Sequence, residues 1–150
     1  MSPQVVVDTN VLVALLDSRD KWHRRAKNII ESLEARQMSV IYFDCVINET
    51  VTVLARRAEE QKRVSQFPEL LDELIQHVPE EIITWISGEI KRLYPEIVGL
   101  VRNTSGALNF HDALIAVFCK EIGDVEIISF DEDFDKIDWL RRVWLPDEGK

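Results

Sequence analysis

Three β-branched residues, Val5-Val6-Val7, run straight into Asp8-Thr9-Asn10. A short run that is apolar at every position suits a strand covered on both faces, as in a parallel sheet. The pattern returns twice. Val40-Ile41-Tyr42-Phe43 runs into Asp44, and Val125-Glu126-Ile127-Ile128-Ser129 runs into Phe130-Asp131. Core packing does not require an acid after each strand. In open α/β sheets the active crevice lies just beyond the carboxyl ends of the strands, so Asp8 falls at the edge where chemistry takes place.

Helical patterns separate the strands. Asn10 to Leu16 carries an apolar stripe, and Lys21 to Arg36 follows a polar break that offers Asp20 as N-cap. A third helix is expected from Cys45 to about Glu60, with Asp44 better placed as its N-cap than as a catalyst. Pro68 can start a helix that reaches about Gln76. Ile82 to Ile86 reads as a strand, and Ser87 caps a helix that Pro95 should kink or interrupt. Asn109 opens a helix whose body, Ala113 to Cys119, is apolar almost all round and therefore central. Trp139 to Leu145 reads as a last edge strand. The alternation predicts a three-layer α/β/α sandwich with a mainly parallel sheet, and 150 residues fit one domain, 1–150.

The formal net charge is −9. That argues against non-specific binding to nucleic acid or to an anionic membrane. A polyanionic substrate stays open, because an acidic crevice loaded with divalent cations attracts phosphate. No run approaches a membrane span, and Met1-Ser2-Pro3-Gln4 has no basic leader, so no membrane association and a cytoplasmic location are expected. Cys45 and Cys119 are far apart and read as buried thiols. The basic cluster Arg24, Arg25, Lys27 and Arg36 reads as a solvated helix face, with phosphate contact as the alternative.

Asp112 has a structural explanation: with Asn109 as N-cap it occupies N3, where an acid supports the cap. Yet it opens a helix that is otherwise buried, and buried carboxylates need a partner. Glu49 lies on the border of its helix's apolar face, where either a surface or a functional role is open. Of the acids after the last buried strand, Asp131 comes first and lies nearest the sheet edge. Asp133 follows as a further ligand or water-mediated contact and could cap a turn at Phe134, whose ring would anchor the loop; Asp135 should be solvated. A site of Asp8, Glu49, Asp112 and Asp131 contains only hard oxygen donors, which favours Mg²⁺ or Mn²⁺ over Zn²⁺. His23, His77 and His111 are scattered; His111 adjoins the site and suits a surface or supporting role.

In this order, Asp8-Thr9-Asn10, Asn48-Glu49, His111-Asp112-Ala113-Leu114-Ile115-Ala116 and Ser129-Phe130-Asp131-Glu132-Asp133-Phe134 resemble the PIN-domain ribonucleases, and most of all the VapC-type toxins of toxin–antitoxin modules. Asp20-Lys21-Trp22-His23-Arg24-Arg25-Ala26 is similar to a helix start frequent in that family. The resemblance spans nearly the whole chain; only the stretch from about Gln61 to Gly106 looks long for such a toxin. It implies metal-dependent hydrolysis of RNA, with metal held by Asp8, Glu49, Asp112 and Asp131, and products with 5′-phosphate and 3′-hydroxyl ends. It also implies that Thr9, Asn10 and Ser129 orient the ligands from behind. An antitoxin partner and a homodimer are further expectations. Two Mg²⁺-dependent phosphoryl-transfer folds fit less well. A receiver domain would want a lysine where Ser129-Phe130 stands, and a haloacid-dehalogenase-type phosphatase would want Asp-x-Asp after the first strand. A catalytically silent binding module of the same fold is the alternative from another class.

Overall fold

The computed structural model describes residues 4–143. The leader reading at Met1-Ser2-Pro3, and Trp144 and Leu145 of the expected edge strand, lie outside the described residues.

Val5, Val6 and Val7 are fully buried because their strand, β1 (Gln4–Val7), is central in a parallel sheet. Its neighbours are β2 (Ser39–Phe43) and β4 (Val125–Ile128), with β3 (Ile83–Thr84) and β5 (Arg141–Val143) at the edges. The order is β3-β2-β1-β4-β5, and every pairing is parallel. Six α-helices lie among the described residues: α1 (Thr9–Leu16), α2 (His23–Ala35), α3 (Asp44–Glu60), α4 (Phe67–His77), α5 (Ile90–Asn103) and α6 (Phe110–Ile122).

Handedness assigns the helices to layers. The β1→β2 and β2→β3 crossovers both step towards one edge, whereas β3→β4 steps back across β1. Right-handed connections then put α1–α4 on one face and α5–α6 on the other. The packing agrees: α1 contacts α2, α3 and α4, while α5 packs on α6 and α6 on β4. The direction of winding reverses between β1 and β4, so the crevice lies at their carboxyl ends. This is the three-layer sandwich expected from the alternating pattern.

Local details differ from the sequence reading. Asp44 is not a cap: Phe43 holds that position and Asp44 is the first helical residue of α3. Its carboxylate instead accepts the peptide N–H of Ile86 at 2.7 Å, that of Ser87 at 3.2 Å, and the Ser87 hydroxyl. It therefore ties the β3–α5 connection to the end of β2. Asp20 stands three residues before α2 and accepts the Trp22 N–H at 2.8 Å, closing a turn rather than capping the helix. The expected strand 82–86 shrinks to Ile83–Thr84, because only these two pair with Tyr42 and Phe43. Ser87 starts a 3-10 turn ahead of α5, which runs unbroken through Pro95. Pro95 is the sixth of the fourteen residues of α5 and lies inside the helix, where it removes one backbone donor without ending it. The central apolar helix is as expected: Ala113 to Val117 and Cys119 are buried.

Candidate active site

Asp8 is placed by backbone rules alone. Its own peptide N–H donates to the Ile128 carbonyl at 3.0 Å, so it continues the β1–β4 ladder. Its extended conformation then makes it the N-cap of α1, with Oδ1 accepting the Thr9 N–H at 2.8 Å. Oδ2 accepts the Ser129 hydroxyl at 2.6 Å. Ser129, buried at the end of β4, joins the two strand ends: its Oγ also accepts Asn10 Nδ2 at 3.3 Å and the Asp131 N–H at 2.9 Å. Asn10 Oδ1 accepts the Phe130 N–H at 3.2 Å and closes the same loop.

The other acids arrive from three elements. Asn109 caps α6 by accepting the Asp112 N–H at 2.9 Å, which sets Asp112 in the first turn. Asp8, His111 and Asp112 each offer a ligand atom, and these atoms lie within 4.8 Å of one another. Glu49 and Asp131 line the same cleft but stand outside that trio. His111 Nε2 lies 3.2 Å from Glu49 Oε1 and 3.3 Å from Thr9 Oγ1. From sequence, His111 was notable only as the neighbour of Asp112; here it links Thr9 on α1 to Glu49 on α3. Asp131 Oδ1 accepts the Asp133 N–H at 2.9 Å and caps the turn over Glu132–Lys136. Asp131, not Asp133, is therefore the capping acid. Asp133 is half-buried and accepts Lys136 Nζ at 2.7 Å, Phe134 is buried as the loop's anchor, and Asp135 pairs with Arg142.

Burial pushes the Asp8 carboxyl above the ordinary carboxylate range, against the pull of Ser129, Thr9 and His111. Burial, reinforced by the charges of Asp8, Asp131 and Glu49, raises Asp112 to about 7. No lysine or arginine among the described residues forms an ion pair with Asp8 or Asp112. Mutual repulsion without a counter-charge, in a set dominated by carboxylate oxygen, fits a hard divalent cation. The two thiols play no part: Cys45 and Cys119 are free and pushed up to about 12, chiefly by burial.

The acids form one end of a cleft of about 840 Å³. The basic cluster noted in the sequence, Arg24, Arg25, Lys27 and Arg36, does not line it. Arg19, Lys21, Arg56 and Arg57 do, with Trp22. Arg19, Lys21 and Trp22 come from the turn after α1, and Arg56 and Arg57 from the far half of α3.

A parallel α/β/α sandwich with carboxylates converging at its switch point is the PIN-like class of architecture. The chain matches the PIN domain over residues 5–140, and it belongs to that family. It is 28% identical over 144 residues to Ribonuclease VapC2 of Methanocaldococcus jannaschii, an alignment covering 93% of each chain. The stretch 61–106 therefore does not set this chain apart in overall length. VapBC2 from Rickettsia felis, solved bound to a DNA fragment from its promoter, superposes with a TM-score of 0.68 at 17% identity, over 93% of this chain and 97% of that one. VapC20 of Mycobacterium tuberculosis, a sarcin-ricin loop cleaving toxin, gives 0.66 at 22% identity, over 90% and 95%. No helix among the described residues is long and apolar enough to cross a membrane.

Proposed function

We propose that this chain is a divalent-metal-dependent endoribonuclease, a PIN-domain toxin restrained by an antitoxin. The observation that carries the reading is the uncompensated convergence of Asp8 and Asp112 with His111 at the β1–β4 crevice. The ribonuclease relative and the toxin-like neighbours support it.

Asp8, Asp112, Glu49 and Asp131 would hold Mg²⁺ or Mn²⁺, with Asp133 at most a water-mediated contact. Bound metal supplies Lewis-acid activation of water and neutralises charge on the phosphoryl group. The chain supplies the rest. Ser129 and the Thr9 N–H aim the two oxygens of Asp8. His111 orients Glu49 towards the cleft. Asn10 and Ser129 hold the loop that carries Asp131, so one hydroxyl sets the spacing between the acids of β1 and β4.

We take residues 1–150 as one domain in the cytoplasm and the working form as a homodimer. Trp85 and Tyr94, 65% and 55% exposed, are large apolar side chains that a second copy would cover; light scattering checks this. The activity test is cleavage of a labelled RNA by wild type and Asp8→Asn in Mg²⁺, in Mn²⁺ and in chelator. Metal-dependent cleavage by wild type alone is expected. Equal cleavage by both proteins, or cleavage unaffected by chelator, would overturn the reading.

A further inference from the structure

Beside the acids of the site, Asp17, Asp20 and Glu60 also line the cleft, together with four cationic side chains. Of the four cationic side chains that line it, Arg57 is already engaged, at 3.1 Å from Asp17 and 2.8 Å from Asp20. Arg19, Lys21 and Arg56 are exposed, and none forms an ion pair with a described residue. The chain carries 27 acidic against 18 basic residues, so three cations that pair with none of the acids lining the same cleft, Asp17, Asp20 and Glu60 included, are not the product of a generally basic surface.

Their placement is coupled to the acids. Arg56 lies seven residues after Glu49 on α3, two turns along the same face and about 10 Å further on. Lys21 Nζ sits 5.3 Å above the Trp22 ring, a cation–π contact that restricts a long side chain. Trp22 in turn stacks on Phe130 at 5.2 Å, and Phe130 directly precedes Asp131. The cationic wall is thereby anchored to the loop that carries an acid. A cleft of this size admits a few nucleotides but not a duplex, and cations beside aromatic rings suit a single strand.

We propose that Arg19, Lys21 and Arg56 form a track that grips successive phosphates of single-stranded RNA and delivers one phosphate to Asp8 and Asp112. The proposal rests on the ribonuclease reading. It assigns substrate grip to residues outside the acidic site.

The test is binding of a short fluorescein-labelled single-stranded RNA, followed by anisotropy across a KCl series. It uses the Asp112→Asn protein, so that the strand is not cut. Adding Arg19→Gln, Lys21→Gln and Arg56→Gln together should make the slope of log affinity against log salt shallower by about 2, at roughly 0.7 per phosphate contact. Each single change should account for about a third of that, which keeps the test valid if the triple variant folds poorly. An unchanged slope overturns the track. So does equal affinity for a duplex of the same sequence, or displacement of the RNA by poly-glutamate at equal charge, which would assign the wall to an acidic protein segment. Cleavage by the wild type is measured in parallel. If the wild type cleaves while the slope is unchanged, only the track fails; if it neither cleaves nor binds, the ribonuclease reading fails with it.

Discussion

Asp8 and Asp17 cap opposite ends of α1 and are almost equally buried, at 4% and 2% exposure. Their carboxyls move in opposite directions. Burial raises Asp8, and its contacts with Ser129 and Thr9 do not reverse that. Burial also works to raise Asp17, but the Arg19 N–H, Arg57 and Arg63 outweigh it and hold Asp17 below the ordinary range. The helix dipole would have done the reverse, since it favours an anion at the N-terminus and disfavours one at the C-terminus. Charge partners therefore decide. Asp17 receives full cations from the protein, whereas Asp8 has neutral donors and one partly engaged imidazole. The cation that Asp8 lacks is the one a metal supplies.

The same substitution at both ends tests this contrast most strongly through activity. Asp8→Asn, like Glu49→Gln and Asp112→Asn, should lower RNA cleavage by about 100-fold or more, the scale of losing a group that acts in the transition state. Asp17→Asn should leave cleavage within about twofold of wild type. A folded, active Asp8→Asn would break the comparison outright.

Stability should rank the two variants the other way round. Asp17→Asn leaves Arg57 and Arg63 short of a buried counter-charge and should cost about 2 kcal/mol in a denaturant melt. Asp8→Asn in chelator should be no less stable than wild type, because it removes a charge that burial penalises. A large loss at Asp8 would show that its hydroxyl and peptide donors match those of Asp17 in strength.

The pH dependence sharpens the point. Asp112 is raised from 3.8 to about 7, so the folded state binds its proton more tightly than the unfolded state. That contribution is complete below about pH 4 and is lost as pH rises through about 7. In chelator, the melting temperature should therefore fall between about pH 5 and pH 8, and Mg²⁺ or Mn²⁺ should remove most of the fall by binding the folded state. Asp17 acts in a separate window. Its stabilisation is present above its unfolded pKa and is lost only as pH drops through its lowered folded value. A melting temperature flat from pH 5 to pH 8 in chelator would contradict the strain assigned to the acids.

Asp44→Asn is the smallest case. One amide oxygen replaces two acceptors, so one of the three donors of Ile86 and Ser87 loses its partner, at a cost of about 1 kcal/mol. Cleavage should be unchanged, and impaired cleavage would bring Asp44 into the site.

What the sequence made legible follows from chain-local physics. Parallel strands buried on both faces read as largely apolar runs, so 5–7, 40–43 and 125–128, the last interrupted by Glu126, stand out. The acids behind two of them, Asp8 and Asp131, fall at the crevice by topology. Asp112 was legible through its cap. The remainder depended on contacts between distant segments. Asp44 looks like a cap until Ile86 and Ser87 arrive 42 and 43 residues later. His111 gains its position only when α3 brings Glu49 alongside. Arg19, Lys21 and Arg56 share a wall because of how the α1–α2 turn packs beside α3, which no periodicity reports. The basic cluster of α2 was the more visible signal, and it does not line the cleft, although Arg25 stands over the ring of Trp22, which does.

The hydrogen bond from the Asp8 peptide N–H to the Ile128 carbonyl has a consequence in time. Freeing that amide means parting the two central strands, so its exchange with deuterium should occur only when the whole molecule opens. The Glu49 side chain, 40% exposed, is held by one side-chain contact, at 3.2 Å from His111 Nε2. A cation entering the cleft thus meets one carboxylate whose main chain stays in place for as long as the central strands stay paired, and another whose position can change with the loss of a single side-chain contact.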